Sequence, residues 1–106
     1  MIWYHGTSKE NWEKIQKEGF LFGRRYVRTE DGTIIRELPR ATYLTQDIGE
    51  AKMYGDVLLE VQYSPRDSSG RVKCDITGFQ VNNYCDGCWQ MRVYEPIKIE
   101  NIIRIC

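Results

Sequence analysis

The sequence predicts an α+β domain: mostly antiparallel β-sheet with two short helices. Three observations carry this. Short runs rich in Val, Ile, Tyr, Trp and Thr recur along the chain, and "DVLLEVQY" (Asp56 to Tyr63) is the clearest strand. Two stretches only combine helical spacing with capping residues. The 106 residues suffice for one modest core, so a single domain over residues 1–106 is expected.

The elements follow in order. Ile2 to His5 reads as a short aromatic-rich strand. "TSKE" offers a capping box, with Thr7 as N-cap and Glu10 at the third helical position. The helix runs to about Glu18, places Trp12 and Ile15 on one face, and stops at Gly19. Arg25 to Leu38 reads as a hairpin, because Glu30 to Gly32 ("EDG") separates "YVRT" from "TIIREL". Thr42 to Leu44 is a very short strand. Asp47 caps a second helix, with Glu50 at its third position and Gly55 as its stop. Pro65 to Gly70 reads as a surface loop and Arg71 to Ile76 as a strand. An Asp86-Gly87 turn and a further strand follow, and "IENIIRIC" closes the chain as a last strand.

Composition narrows the function. The chain has 15 basic and 15 acidic residues, which argues against a general nucleic-acid coat. Arg24, Arg25, Arg28, Arg36 and Arg40 nevertheless crowd into one segment. No apolar run approaches the roughly 18 residues of a membrane span, and the start lacks the pattern of a signal peptide. A monomer in the cytoplasm, with no membrane partner and four reduced cysteines, is the expectation. "CDGC" (Cys85 to Cys88) is half of a zinc site, but Cys74 and Cys106 are isolated. An Asp-Gly hairpin turn explains that spacing without a metal, so no metal is expected.

Two stretches carry chemistry. In "YHGTS" (Tyr4 to Ser8), the chain's one histidine, His5, ends a strand just before a helix. Gly6 lets a ligand approach the backbone, and the first helical N–H groups are open donors. The plain alternative is an imidazole packed among aromatic rings. In "YLTQDIGEAKMYG" (Tyr43 to Gly55), Ala51 and Tyr54 lie three apart on one helical face. If that face turns toward Tyr43, two rings flank a flat gap that suits a planar heterocycle. A cationic ring there gains about 0.5–2 kcal/mol from the π faces. The alternative is a pair of core tyrosines with hydroxyls at the rim.

Together, "YHGTS", "TYLTQDIGEAKMYG", "VLLEVQY" and "EPIKIENIIRI" resemble the ADP-ribosyltransferases of the diphtheria-toxin and poly(ADP-ribose) polymerase type. The resemblance covers most of the chain, apart from the hairpin near 24–38 and the segment near 66–85. It implies a split, curved sheet and a His-Tyr-Glu triad acting on NAD. His5 matches the histidine that bonds a ribose hydroxyl of NAD. Gly6 matches the glycine whose backbone holds the nicotinamide carboxamide, with Thr7 beside it. Tyr43 and Tyr54 match the tyrosines on the two faces of nicotinamide. Ala51 stands where the polymerases have a serine, so one carboxamide contact is absent. One or more of Arg24, Arg25, Arg28, Arg36 and Arg40, with Arg24 as the candidate, would pair with the NAD pyrophosphate by forked hydrogen bonds; a solvated hairpin face and a nucleic-acid acceptor are the alternatives for this cluster.

Gln90 and Glu95 compete for the third triad position. Glu95 has the family's chemistry, and Gln90 has the better spacing to the closing "IENI". Strand alternation sets Gln90, Arg92 and Tyr94 on one face and Met91, Val93 and Glu95 on the other. Spacing favours Gln90. The resemblance implies a mono-ADP-ribosyltransferase with an unknown protein or nucleic-acid acceptor. An RNA 2′-phosphotransferase-like enzyme and a non-catalytic NAD- or nucleotide-binding module of the same fold are the alternatives.

Overall fold

Antiparallel strands dominate the computed structural model, which describes residues 1–64, 72–74, 80–81 and 89–106. The described elements are β1 (Ile2–Thr7), α1 (Lys9–Glu18), β2 (Phe20–Leu21), β3 (Arg25–Arg28), β4 (Ile34–Leu38), β5 (Thr42–Thr45) and α2 (Ile48–Lys52). There follow β6 (Val57–Gln62), β7 (Val72–Cys74), β8 (Gln80–Val81), β9 (Gln90–Val93), β10 (Ile97–Lys98), a 3-10 turn (Ile99–Asn101) and β11 (Ile102–Arg104). Seven strands form one sheet in the order β11-β6-β1-β5-β9-β7-β8. β2 pairs with β10 and β3 with β4, and every pairing is antiparallel. The expected α+β class with two helices is therefore present. The expected loop Pro65 to Gly70, the Asp86-Gly87 turn and the pair Cys85 and Cys88 lie outside the described residues. No helix among the described residues is long and apolar enough to cross a membrane.

Local boundaries differ from expectation in four places; in one, the closing "IENIIRIC" is strand only over Ile102–Arg104, because Ile99–Asn101 turns as a 3-10 helix whose Ile99 N–H donates to the Gly19 carbonyl. β1 runs on through Gly6 and Thr7, because these residues keep pairing with Leu58 and Val57. The N-cap of α1 is therefore Ser8 rather than Thr7, and Ser8 Oγ accepts from the Asn11 N–H at 3.1 Å. α2 ends at Lys52, well before Gly55, so Tyr54 lies in the turn beyond the helix. The Tyr54 N–H still donates to the Ala51 carbonyl at 3.1 Å, which keeps the two residues together.

The sheet separates two environments. Trp3, Leu44, Leu59, Val61, Met91 and Val93 are fully buried on one face, with Trp12 and Ile15 of α1 against them. Each such aliphatic side chain contributes about 1.5–3 kcal/mol by leaving water. Gly19 closes α1 at φ 84°, a left-handed cap that favours glycine. α2 packs on the opposite face of β1. There a Cβ on Gly6 would stand 1.7 Å from the Ala51 carbonyl oxygen, and one on Gly55 2.2 Å from the Thr7 carbonyl oxygen. These two glycines let the α2 segment lie directly on the strand backbone.

The sheet is nearly divided in the middle. β1 and β6 stay in register over six residue pairs, from Ile2↔Gln62 to Thr7↔Val57. β1 and β5 share one pair, Tyr4↔Thr45. The ladder between β1 and β5 is thus far shorter than those on either side of it, β1–β6 and β5–β9. His5, Gly6 and Tyr43 sit beside that short ladder.

Candidate functional site

His5 reaches across from β1 to β5. Its Nδ1 lies 2.8 Å from the Tyr43 carbonyl oxygen. A carbonyl only accepts, so Nδ1 carries the hydrogen and Nε2 keeps a free lone pair. Burial holds the imidazole below its ordinary 6.5, partly offset by the bond to Tyr43. The ring is neutral at pH 7 and fixed in one tautomer.

A narrow slot of about 80 Å³ opens beside it, lined by His5, Gly6, Tyr43, Ala51, Tyr54 and Gln90 among others. Strand register explains this convergence. Tyr43 faces Arg92 and Thr45 faces Gln90 across β5 and β9, and Tyr4 faces Thr45 across β1 and β5. Residues directly opposite share a face. Tyr4, Gly6, Tyr43, Thr45 and Gln90 therefore lie on the side that α2 covers with Ala51 and Tyr54. Both tyrosines stay open to the slot mouth, with Tyr43 at 40% and Tyr54 at 64% exposure. Arg25 and Arg92 each bring a guanidinium to 6.0 Å from the centre of the Tyr43 ring.

Glu95 is elsewhere. It does not line the slot, and its carboxylate accepts a hydrogen bond from the Tyr63 hydroxyl. Gln90 alone of the two candidates reaches the site.

His5 also lines a second, wider groove of about 410 Å³, with Thr7, Asn11, Lys14, Arg24 and Arg40. Arg40 is committed to the protein: it stacks on Phe22 at 4.4 Å and donates from Nη2 to the Phe22 carbonyl at 2.7 Å. Arg24 is exposed, interacts with Tyr26, and makes a loose surface ion pair, 3.9 Å, with Glu37. Such a pair contributes little and is readily exchanged for an anionic ligand. Slot and groove thus meet at one imidazole, the slot narrow and aromatic, the groove broad and lined by Lys14, Arg24 and Arg40 among others.

Four slot-lining residues, Tyr4, Leu44, Thr45 and Glu50, are not among the site residues the sequence singled out. In the sequence Glu50 stands only as the third helical residue behind the Asp47 cap. Asp47 does cap α2, accepting from the Gly49 and Glu50 N–H groups at 2.9 and 3.3 Å. The Asp47 N–H donates to Thr45 Oγ1 at 3.1 Å. The spacing of Glu50 and Tyr54, one helical turn apart, was the available signal.

The lowered His5 value makes a pH prediction. Below pH 6.5 the unfolded chain takes up a proton that the folded chain resists. The stability is present at neutral pH and is lost as pH falls from 6.5 toward the lower folded-state value. Denaturant midpoints at pH 7.5 and 5.5 should therefore drop with acid, and less so in His5→Gln. Equal acid sensitivity of the two proteins would exclude His5 as the source.

No protein-family model, curated protein or solved structure matches the chain.

Proposed function

We propose that the protein is an NAD-dependent mono-ADP-ribosyltransferase. One observation supports this reading most: residues far apart in sequence, singled out for binding a flat cationic ring, line a common slot. The nicotinamide of NAD fits between Tyr43 and Tyr54, with its carboxamide toward the Gly6 backbone. The pyrophosphate and adenosine then extend past His5 into the wider groove, where Arg24 offers a counter-charge. His5 Nε2 accepts a hydrogen bond from a ribose hydroxyl.

The chemistry follows from that pose. The bond between ribose C1′ and the nicotinamide nitrogen breaks, and its electron pair goes to the nitrogen, so nicotinamide leaves neutral. The ribose carries the resulting oxocarbenium charge. Preorganised dipoles aimed at that charge supply the catalysis, and the Gln90 amide is the group so placed. A nucleophile of a protein or nucleic-acid acceptor attacks C1′ and gives its proton to solvent.

Incubation with NAD, followed by quantification of free nicotinamide, tests the reading. Release is expected, and Tyr54→Ala should raise the KM for NAD about tenfold through loss of one stacking face. A labelled acceptor fraction, digested with nuclease or with protease, then assigns the acceptor class. Absence of both NAD binding by calorimetry and nicotinamide release would overturn the proposal.

A further inference from the structure

Resting on the NAD reading above, we propose that Glu50 reserves the slot for a positively charged ring, selecting the oxidised pyridinium over neutral rings of the same shape. Among the described residues lining the slot, Glu50 is the one carboxylate, and Tyr43, Tyr54 and Gln90 line the same space. Its side chain is released from helix capping, because Thr45 Oγ1 takes the Asp47 N–H. No cation among the described residues pairs with it. The neighbouring guanidinium groups, Arg25 and Arg92, lie against the Tyr43 ring and bring positive charge to that wall. His5 is neutral at pH 7 because burial lowers its affinity for a proton. Without Glu50 the described lining would offer a pyridinium no anionic group. With it, a half-buried carboxylate offers attraction that water only partly screens.

This role differs from that of Gln90. The positive charge sits on the ring before cleavage and on the ribose afterwards, one bond away. A carboxylate beside the ring meets nearly the same charge in both states. Such uniform binding changes KM and leaves kcat alone.

Two probes of similar shape test this: the 1-methylnicotinamide cation and neutral benzamide, titrated by calorimetry into wild type, Glu50→Gln and Glu50→Ala. The wild type should prefer the cation, and the preference should shrink as salt rises. Both variants should lose about tenfold affinity for the cation and less than twofold for benzamide, with the KM for NAD rising and kcat unchanged. If both probes bind and the variants leave their ratio unchanged, Glu50 selects nothing and this inference falls while the NAD reading stands. If neither probe binds and NAD itself neither binds nor releases nicotinamide, the NAD reading falls first and takes this inference with it; if NAD alone binds, an unchanged KM in the Glu50 variants overturns this inference.

Discussion

Gln90→Ala is expected to lower the kcat for nicotinamide release about a hundredfold, whereas Glu95→Ala should leave it within about twofold. The first figure follows from the usual loss when one preorganised dipole is removed from a developing charge. Gln90 lies opposite Thr45 on β9 and lines the slot. Glu95 lies two residues beyond β9 and holds the Tyr63 hydroxyl. Its removal should instead cost about 1 kcal/mol of stability, the net value of a hydrogen bond. Single-turnover assays and denaturant melts on both variants separate these effects. A silent Gln90→Ala with a dead Glu95→Ala would reverse the assignment. Gln90→Glu is informative in the same assay, since a carboxylate there opposes the oxocarbenium charge more strongly than an amide.

Gly6→Ala should be among the most damaging single-methyl changes in the chain. The added Cβ would stand 1.7 Å from the Ala51 carbonyl oxygen. Backbone on both sides leaves nothing flexible to give way. α2 must lift from β1, at a cost of about 3 kcal/mol by the scale of overpacked interiors. Because Ala51 and Tyr54 ride on that segment, binding of benzamide should disappear with it. Gly19→Ala is the control. Its φ of 84° makes alanine uncomfortable, about 1 kcal/mol, yet no atom lies within 4 Å of the new methyl. That variant should bind benzamide normally. Wild-type melting and binding in Gly6→Ala would show that α2 does not rest on β1.

These two positions also show how far sequence reasoning reached. Gly6 was read as room for a ligand, and it does line the slot, yet the closest group to it is the α2 backbone. Glycine marks a close approach without saying what approaches. Spacing gives Glu50 only a place at the third position behind the Asp47 cap, because that relation is local. That Thr45 Oγ1 takes the Asp47 N–H, leaving the Glu50 carboxylate to line the slot, depends on how β5 enters α2. The two-residue partners β2 and β10 escaped notice for a related reason, since so short a pairing has no periodicity.

The amino-acid order by itself determined the α+β class, the helix α1 with its Gly19 stop, the Asp47 cap, and the residue types able to hold a flat cationic ring. Those features are local: capping, alternation and turn chemistry act over a few residues. Tertiary structure decided that Gln90 and not Glu95 meets the slot, that β1 and β5 join at the single pair Tyr4↔Thr45, and that His5 reaches across to the Tyr43 carbonyl. Alternation had already put Gln90 and Glu95 on opposite faces. Choosing between the faces required the β5–β9 register, which joins segments more than forty residues apart through burial of Leu44, Met91 and Val93.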